Sequence, residues 1–327
     1  MNTTTKPGPK PTAIPRQQNV RPRVAVSSCL LGEPVRYNGG HSRSRFLTDT
    51  LAAHVDWVPV CPEMEIGLGA PRPTLRLVTD GGVERLTTKD GGDDHTAAML
   101  AFAEQRVAEL PDLDGWVLKS RSPSCGPRGV SRFRKGQPTD RRGTGMFAGR
   151  LMDVRPELPV EEEGRLNDAL LRDHFVERIF AYARLRALFT GAWMPRDLVA
   201  FHSAHKLQFL AHDPARYRTA GRVVAEAGNR PAAELQDEYT ELFAAAFAIR
   251  PSRGRHVNAM LHVFSPMTDR LDTARRRDIA GVIDAYGRGD APLAVPMALL
   301  RHHAKGEDIG YLQAQTYFEP FPPELSR

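Results

Sequence analysis

Cys29, Cys61 and Cys125 are the three cysteines of a 327-residue chain. Three is an odd number, too few for a disulfide framework and suited to free thiols in a reducing compartment. They stand 32 and 64 residues apart, with no CxxC among them, so the usual zinc ribbon or knuckle is unsupported. Each follows a β-rich apolar run: Cys29 comes after "VAVSS", Cys61 after "WVPV" and Cys125 after "GWVLKSRSPS". In open α/β sheets the ligand crevice lies outside the carboxyl ends of the strands, so three cysteines remote in sequence can converge on one rim. A free cysteine is also among the most buried residue types, and each could be an independent small core residue. Their common placement favours the rim. Three thiolates suit zinc completed by a histidine, with His41 or His95 as candidates, or an iron–sulfur cluster in which one iron keeps an open position. An open iron is a Lewis acid, and a substrate sulfur is a natural ligand for it.

The elements that must position these thiols change character along the chain. "RVAVSS" (23–28), "DWVPV" (56–60), "TLRLV" (74–78) and "GWVLK" (115–119) read as strands, several apolar enough for a sheet covered on both faces. Between them "DHTAAMLAFAEQRVAEL" carries an apolar helical stripe, with Asp93 or Asp94 as its cap. This is the grammar of an α/β domain. After the prolines of "DVRPELPV" (153–160) nearly every segment has helical period, for example Leu235, Tyr239, Leu242 and Ala246. The expected fold is therefore a Rossmann-like α/β domain with a mostly parallel sheet over 22–155, then an all-helical domain over 156–327. Residues 1–21, rich in proline and free of acids, read as a solvated, disordered tail.

Composition sets outer limits. Hydrophobic residues make up 41% of the chain and charged residues 26%, as in an ordinary globular protein, and no run approaches the length of a membrane span. The amino terminus has no apolar signal region, so the expected location is the cytoplasm. The net charge of +6, carried mostly by arginine, permits a polyanionic partner. An arginine- and alanine-rich composition is equally what a GC-rich genome would produce.

Three segments, "SSCLLGEPVRYNGGHSR" (27–43), "VPVCPEMEIGLGAPR" (58–72) and "KSRSPSCGPRG" (119–129), together resemble the thiouracil desulfurase (TudS) family. The segments "EEEGRLND" (161–168), "FHSAHKLQFLAHDP" (201–214), "RRDIAGVIDAYGRG" (276–289) and "YLQAQTYFEP" (311–320) resemble the YbgA-type domain often fused behind it. The two-domain arrangement is similar to desulfidases that return 4-thiouridine in tRNA to uridine. The resemblance implies that Cys29, Cys61 and Cys125 hold a [4Fe-4S] cluster whose fourth iron takes the thiocarbonyl sulfur. It also implies a non-redox hydrolysis that releases sulfide.

Replacing C=S by C=O also requires a deprotonated water and management of the ring charge. Glu63, two residues after Cys61, is the candidate base, although it could merely cap the following turn. Ser122 and Ser124 could donate hydrogen bonds or orient water, or form a turn beside Pro123. Lys119 could offset negative charge at the site or pair with an acid. Asn38 stands where the family carries an acid in "RYDGG"; an amide is no general base but makes a similar turn. Ser42 and Ser44 replace the usual charged residues that follow the family histidine.

An extruded base needs compensating contacts to the surrounding RNA. Arg132, Arg134, Lys135, Arg141 and Arg142, with Phe133 interleaved, lie in "GPRGVSRFRKGQPTDRRG" (126–143), and Arg253 and Arg255 lie in "RPSRGRHVN" (250–258). Either stretch could be a basic surface segment without a partner. His202 and His205 read as buried or RNA-facing polar residues rather than metal ligands, and Tyr311, Tyr317 and Phe318 as core aromatics. The leading expectation is a desulfidase acting on tRNA, with no DNA or membrane partner. Two alternatives are a desulfurase of free thiolated pyrimidines and a non-enzymatic metal-thiolate protein that binds RNA or senses redox state.

Overall fold

The computed structural model describes residues 20–326. The tail expected over 1–21 lies outside the described residues except for its last two positions. Of these, Arg21 is tied down by Asp56 and by the carbonyls of Ala53 and Val55.

The chain begins with β1 (Arg23–Ser27), β2 (Asp56–Val60), the short α1 (Pro62–Glu65), β3 (Leu75–Asp80) and β4 (Val83–Thr88). It continues through α2 (Thr96–Glu109), β5 (Gly115–Leu118), β6 (Val130–Arg134), β7 (Gln137–Gly143), α3 (Met146–Val154) and β8 (Val160–Glu162). Four strands, in the order β2-β1-β5-β8, form an all-parallel sheet in which Ala25 aligns with Val58 on one side and Trp116 on the other. The near-continuous apolar runs of β1 and β5 suit this position, because the sheet is covered on both faces. Ala25, Trp116 and Leu118 pack with Met99, Ala103 and Val107 of α2 and Phe147 and Leu151 of α3. Val24, Val26 and Val117 face the other way, against Leu30, Leu47 and Leu51.

The parallel sheet extends past the boundary expected at residue 155. β8 runs from Val160 into "EEEGRLND", which resembled the helical domain, yet it pairs with β5 in the register Leu118 to Glu162. Three residues are too few to show a strand period. A second sheet, in the order β4-β3-β6-β7, is joined at its centre by the parallel pair β3 and β6. "TLRLV" belongs to this sheet rather than to the first.

The basic stretch 126–143 forms the hairpin β6–β7 instead of a loop. Its turn is Lys135-Gly136, both with positive φ (48° and 77°), the two-residue geometry that matches strand twist.

The helical half contains α4 (Ala169–Phe189), α5 (Pro195–His212), α6 (Pro214–Ala225), α7 (Ala232–Phe247) and α8 (Arg253–Phe264). It ends with α9 (Thr273–Arg288), α10 (Ala294–Gly306) and α11 (Gly310–Gln313). Asp168, Asp213, Ser252 and Asp272 cap α4, α6, α8 and α9 through their side chains. One core gathers Phe201, Tyr239, Phe243 and Phe247. Another gathers Leu207, Met260, Ile279 and Ile283 with Tyr317, the latter buried as expected. α4 serves both halves: Phe175, Val176, Ile179 and Phe180 cover the parallel sheet, while Ala181, Tyr182 and Leu185 enter the helical core. No helix among the described residues is long and apolar enough to cross a membrane.

Candidate active site

Cys29 sits in the 3-10 turn Ser28–Leu31 directly after β1, where its carbonyl accepts from the Ser42 amide at 2.9 Å. Cys61 follows β2 and occupies the N-cap position of α1. Cys125 lies in the loop leaving β5. The Ser122 hydroxyl accepts from the amides of Ser124 and Cys125 at 3.2 and 3.1 Å and so shapes that loop. Close packing fixes it further, since a Cβ on Gly145 would meet the Ser124 carbonyl oxygen at 2.5 Å. All three cysteines line one cavity of about 680 Å³.

Burial dominates the state of these thiols. It pushes Cys29 up to about 11, with Cys61 adding to the rise and Lys119 and Arg36 opposing it. It pushes Cys61 up as well, and Cys125, the most enclosed, well above an ordinary thiol. Cys29, Cys61 and Glu63 all act on Cys125, so the rim expected from strand ends is formed by these residues.

Glu63 lines the same cavity and is held from two sides. The Arg72 guanidinium donates to Oε2 from Nε at 2.8 Å and again from Nη2, and the Ser124 hydroxyl donates to Oε1 at 2.8 Å. Arg72 and Glu63 are 4% and 13% exposed, and Arg72 also donates to the carbonyls of Val35 and Gly69 at 2.9 and 2.6 Å. Sequence reasoning missed Arg72 although it closes the same motif. The available signal was "GLGAPR": Gly67 and Gly69 adopt positive φ, which turns the chain after α1 and returns Arg72 onto Glu63.

The remaining expected site residues are divided in role. Lys119 lines the cavity, but its ammonium is paired with Glu163 and hydrogen-bonded to the Ser120 hydroxyl at 3.0 Å. Ser124 reaches Glu63, whereas Ser122 is a loop-former whose oxygen is occupied by two amides. Asn38 is exposed and outside the cavity wall. Its side-chain oxygen accepts from the Gly40 amide at 3.2 Å, so it acts as a turn residue and not as a catalytic group.

The basic residues also separate. Arg134, Lys135, Arg141 and Arg142 are exposed on the hairpin, with β7 returning to Val130, five residues from Cys125. Arg132 is paired with Glu84 at 2.5 Å. Phe133 lies under the Arg76 guanidinium, 4.3 Å from its ring centre, rather than open for base stacking. In the helical half Arg253 donates to the Tyr286 carbonyl and Arg255 to the His212 carbonyl, each at 2.6 Å. Their guanidinium groups brace the helices, which weakens the RNA-contact reading for both. His202 and His205 are buried, so their RNA-facing alternative fails. Arg36 and Arg121, not singled out from sequence, line the cavity itself.

The donor set of this cavity is sulfur without imidazole. His41 and His95 are not among its lining residues: His41 Nδ1 accepts from the Arg43 amide at 3.3 Å, and His95 precedes α2. Among the described residues no three His, Cys, Asp or Glu side chains converge tightly enough to hold a single ion. Three thiols from three elements, two buried and Cys61 half-buried, spread around one cavity, fit a polynuclear metal–sulfur group. Its positive charge would offset the cost of burying thiolates.

Fold and rim thus define a class, an α/β domain with a three-thiol centre at the carboxyl ends of its parallel strands. The model of the 2-thiouracil desulfurase family matches residues 24–163, and a second, described as a protein of unknown function (DUF1722), matches 206–322. The uncharacterized protein YbgA of Escherichia coli (strain K12) is 31% identical over 153 residues, 46% of this chain and 89% of its own length. The uncharacterized protein YbbK of Bacillus subtilis (strain 168) is 34% identical over 113 residues, 32% of this chain and 72% of its own length. Among solved structures, the [4Fe-4S]-dependent thiouracil desulfidase TudS is 30% identical, covering 45% of this chain and 94% of that one, with a TM-score of 0.37. The chain belongs to the 2-thiouracil desulfurase family and carries a YbgA-like domain behind the desulfurase domain.

Proposed function

We propose that this protein removes sulfur from 4-thiouridine in tRNA, giving uridine and sulfide, with Cys29, Cys61 and Cys125 as the three ligands of a [4Fe-4S] cluster. The observation that carries the reading is that all three thiols and Glu63 line one cavity. A cluster with three protein ligands supplies an open iron, a Lewis acid for a thiocarbonyl sulfur.

The reaction is a hydrolysis without redox change: water gives its oxygen to the ring carbon, the C–S bond breaks, and both water protons leave with the sulfide. Glu63 is the base that takes the first proton and returns it to the departing sulfur. Arg72 and Ser124 aim its oxygens. Lys119, locked to Glu163, keeps positive charge beside Cys29. Arg36 and Arg121 in the wall, and Arg134, Lys135, Arg141 and Arg142 on the neighbouring hairpin, meet the phosphates of an RNA whose target base is turned out. The work is done in the cytoplasm, where tRNA is.

A second reading is favoured by the helical half, where Arg253 and Arg255 are engaged internally and His202 and His205 are buried. On that reading the substrate is a free thiolated pyrimidine, which a cavity of about 680 Å³ accommodates. The test is anaerobic reconstitution with iron and sulfide, followed by tRNA containing 4-thiouridine, tracking thiouridine absorbance and sulfide together. Loss of both signals supports the tRNA reading. Turnover of a free thiopyrimidine alone supports the second. An intact cluster with neither reaction leaves a non-enzymatic metal-thiolate protein.

A further inference from the structure

α5 buries Phe201 and Phe209 in the aromatic core of the helical half. Its flank carries His202 and Lys206, one turn apart and therefore neighbours on the helix surface. His202 is buried, and its Nδ1 meets the Tyr239 hydroxyl at 3.1 Å. The Tyr217 ring of α6 lies flat on the His202 imidazole, with 5.1 Å between centres and 4° between planes. Tyr217 is half-buried and packs against both helical cores, so it stands in the seam between them.

One turn along α5, the Lys206 ammonium stands 5.7 Å from the ring centre of Tyr311, in the short α11. Tyr311 reads from sequence as a core aromatic, yet it is 42% exposed, because the single turn of α11 sends Leu312 into the core instead. The buried tyrosines Tyr182, Tyr239 and Tyr317 spend their hydroxyls on Glu157, His202 and His256. Tyr311 stays open to solvent beside a cation.

The charge around this stripe is one-sided. The chain holds 39 Asp and Glu, yet none falls in 198–212, 214–225 or 309–318, the segments that build it. Asp308, just before α11, accepts from the Gln313 amide group at 3.2 Å. Among the described residues no carboxylate pairs with Lys206. Arg218 and Arg222 are exposed one turn apart on α6. An exposed ring next to a lysine, with further cations on the adjoining helix and no acid between them, suits a base followed by phosphates. The cations are spread along two helices rather than gathered at one point, which fits the successive phosphates of a strand better than a lone mononucleotide.

Resting on the tRNA reading, we propose that this stripe is a second RNA contact, in which an unpaired nucleotide stacks its base on Tyr311 and sets its phosphate on Lys206. Arg218 and Arg222 receive the phosphates that follow, and His202 braces Tyr217 beside them. Every base has a π-face, so the contact holds RNA without reading its sequence. It lends grip to a substrate carried on RNA and none to a free pyrimidine.

The test uses a labelled single-stranded oligouridylate without sulfur, titrated by fluorescence anisotropy into the anaerobically reconstituted full chain. Tyr311→Ala should weaken binding by about tenfold, the scale of one lost base–aromatic stack, and Tyr311→Phe should restore it. Lys206→Ala should lower the log–log salt slope by about 0.7. An oligonucleotide bearing 5-iodouridine should crosslink to Tyr311 on irradiation. Iron content and sulfide release from a free thiopyrimidine should be unchanged in all three variants.

No binding by wild type, or equal affinity in Tyr311→Ala, overturns the assignment. So does Tyr311→Phe behaving as Tyr311→Ala, which would place the contact on the hydroxyl rather than the ring. Uridine monophosphate or polyglutamate competing as well as the oligonucleotide, with the same dependence on Tyr311, would make this a mononucleotide or acidic-protein surface and overturn it equally. Failure of the desulfuration reading looks different: RNA binding and its loss in Tyr311→Ala persist, while neither thiopyrimidine nor thiolated tRNA yields sulfide.

Discussion

The thiol cavity and the interior of the helical half are both built from buried polar side chains, and they treat them in opposite ways. In the helical half several of these groups are turned on one another. His202 meets the Tyr239 hydroxyl at 3.1 Å, His205 lies 3.2 Å from the Arg184 guanidinium, and His256 meets the Tyr317 hydroxyl at 2.8 Å. Glu177 accepts from Gln208 at 2.7 Å and lies 3.2 Å from His212. Burial pushes Glu177 up, yet His212, Gln208 and His174 outweigh it and hold it down at about 2. Around the cavity the thiols of Cys29, Cys61 and Cys125 are desolvated and held above the ordinary thiol range. Residue type does not separate a reactive centre from an architectural one. The surroundings of the group do.

The strongest way to break that contrast is at the cysteines. Cys29→Ala, Cys61→Ala and Cys125→Ala should each bring sulfide release to background and diminish bound iron, while secondary structure persists. Full activity in any one would remove that thiol from the centre.

Next comes Glu63→Gln, which keeps the shape and the Ser124 contact but removes the base. A loss of about 10²–10⁴-fold in turnover is expected with cluster content unchanged. Replacing its partner, Arg72→Met, should also lower stability by about 3 kcal/mol in denaturant titrations, since it leaves a largely buried carboxylate with only the Ser124 hydroxyl and no countercharge.

The helical half should respond in stability only. His212→Ala deprives Glu177 of one of its two partners and leaves it only Gln208, with a loss of about 3 kcal/mol and unchanged turnover per folded molecule. Acid titration probes the same region. Burial depresses His174, His202 and His256 to about 4, so these imidazoles are neutral when folded and bind protons more readily in the unfolded chain. Their contribution is present above the ordinary histidine range and is lost as the pH falls from 6.5 towards about 4, which thermal melts across that window would show.

The smallest effects concern the surface. Mutating Arg141 and Arg142 together to Ala should reduce the salt dependence of tRNA binding by a log–log slope of about two, whereas Arg253→Ala should cost stability instead. Asn38→Asp, confined to an exposed turn, should change stability by no more than about 0.5 kcal/mol.

Much of this was readable beforehand, and the reasons differ by region. β1 and β5 announced themselves because strands covered on both faces are written in apolar residues, β2 because "WVPV" is apolar although it lies at the edge, and the thiols follow the strands or lie in the loop beyond. The second sheet was hidden because β4, β6 and β7 are polar edge or hairpin strands, so "SRFRKGQPTDRR" reads as a loop until its Lys135-Gly136 turn is seen. Glu63 was legible from its place beside Cys61. Arg72 was overlooked although Glu63 stands only nine residues before it, because the pairing depends on the turn through Gly67 and Gly69. Arg253 and Arg255 were misjudged because their partners are remote in sequence: a guanidinium that caps a carbonyl and one that awaits a phosphate look alike in one dimension.

The sharing of α4 between two cores has a mechanical consequence. A sequence junction between two fused modules invites the image of a flexible coupling, but here the segment after the junction is a beam built into both. Arg186 near its end grips Asp114, in the turn before β5, at 2.8 and 2.9 Å. Gly115 admits it so closely that a single added methyl carbon would stand 2.6 Å from the Ile179 side chain. Cutting the chain where the families meet would strip a wall from the sheet that carries the thiols. What inheritance joined as two pieces, statics treats as one frame.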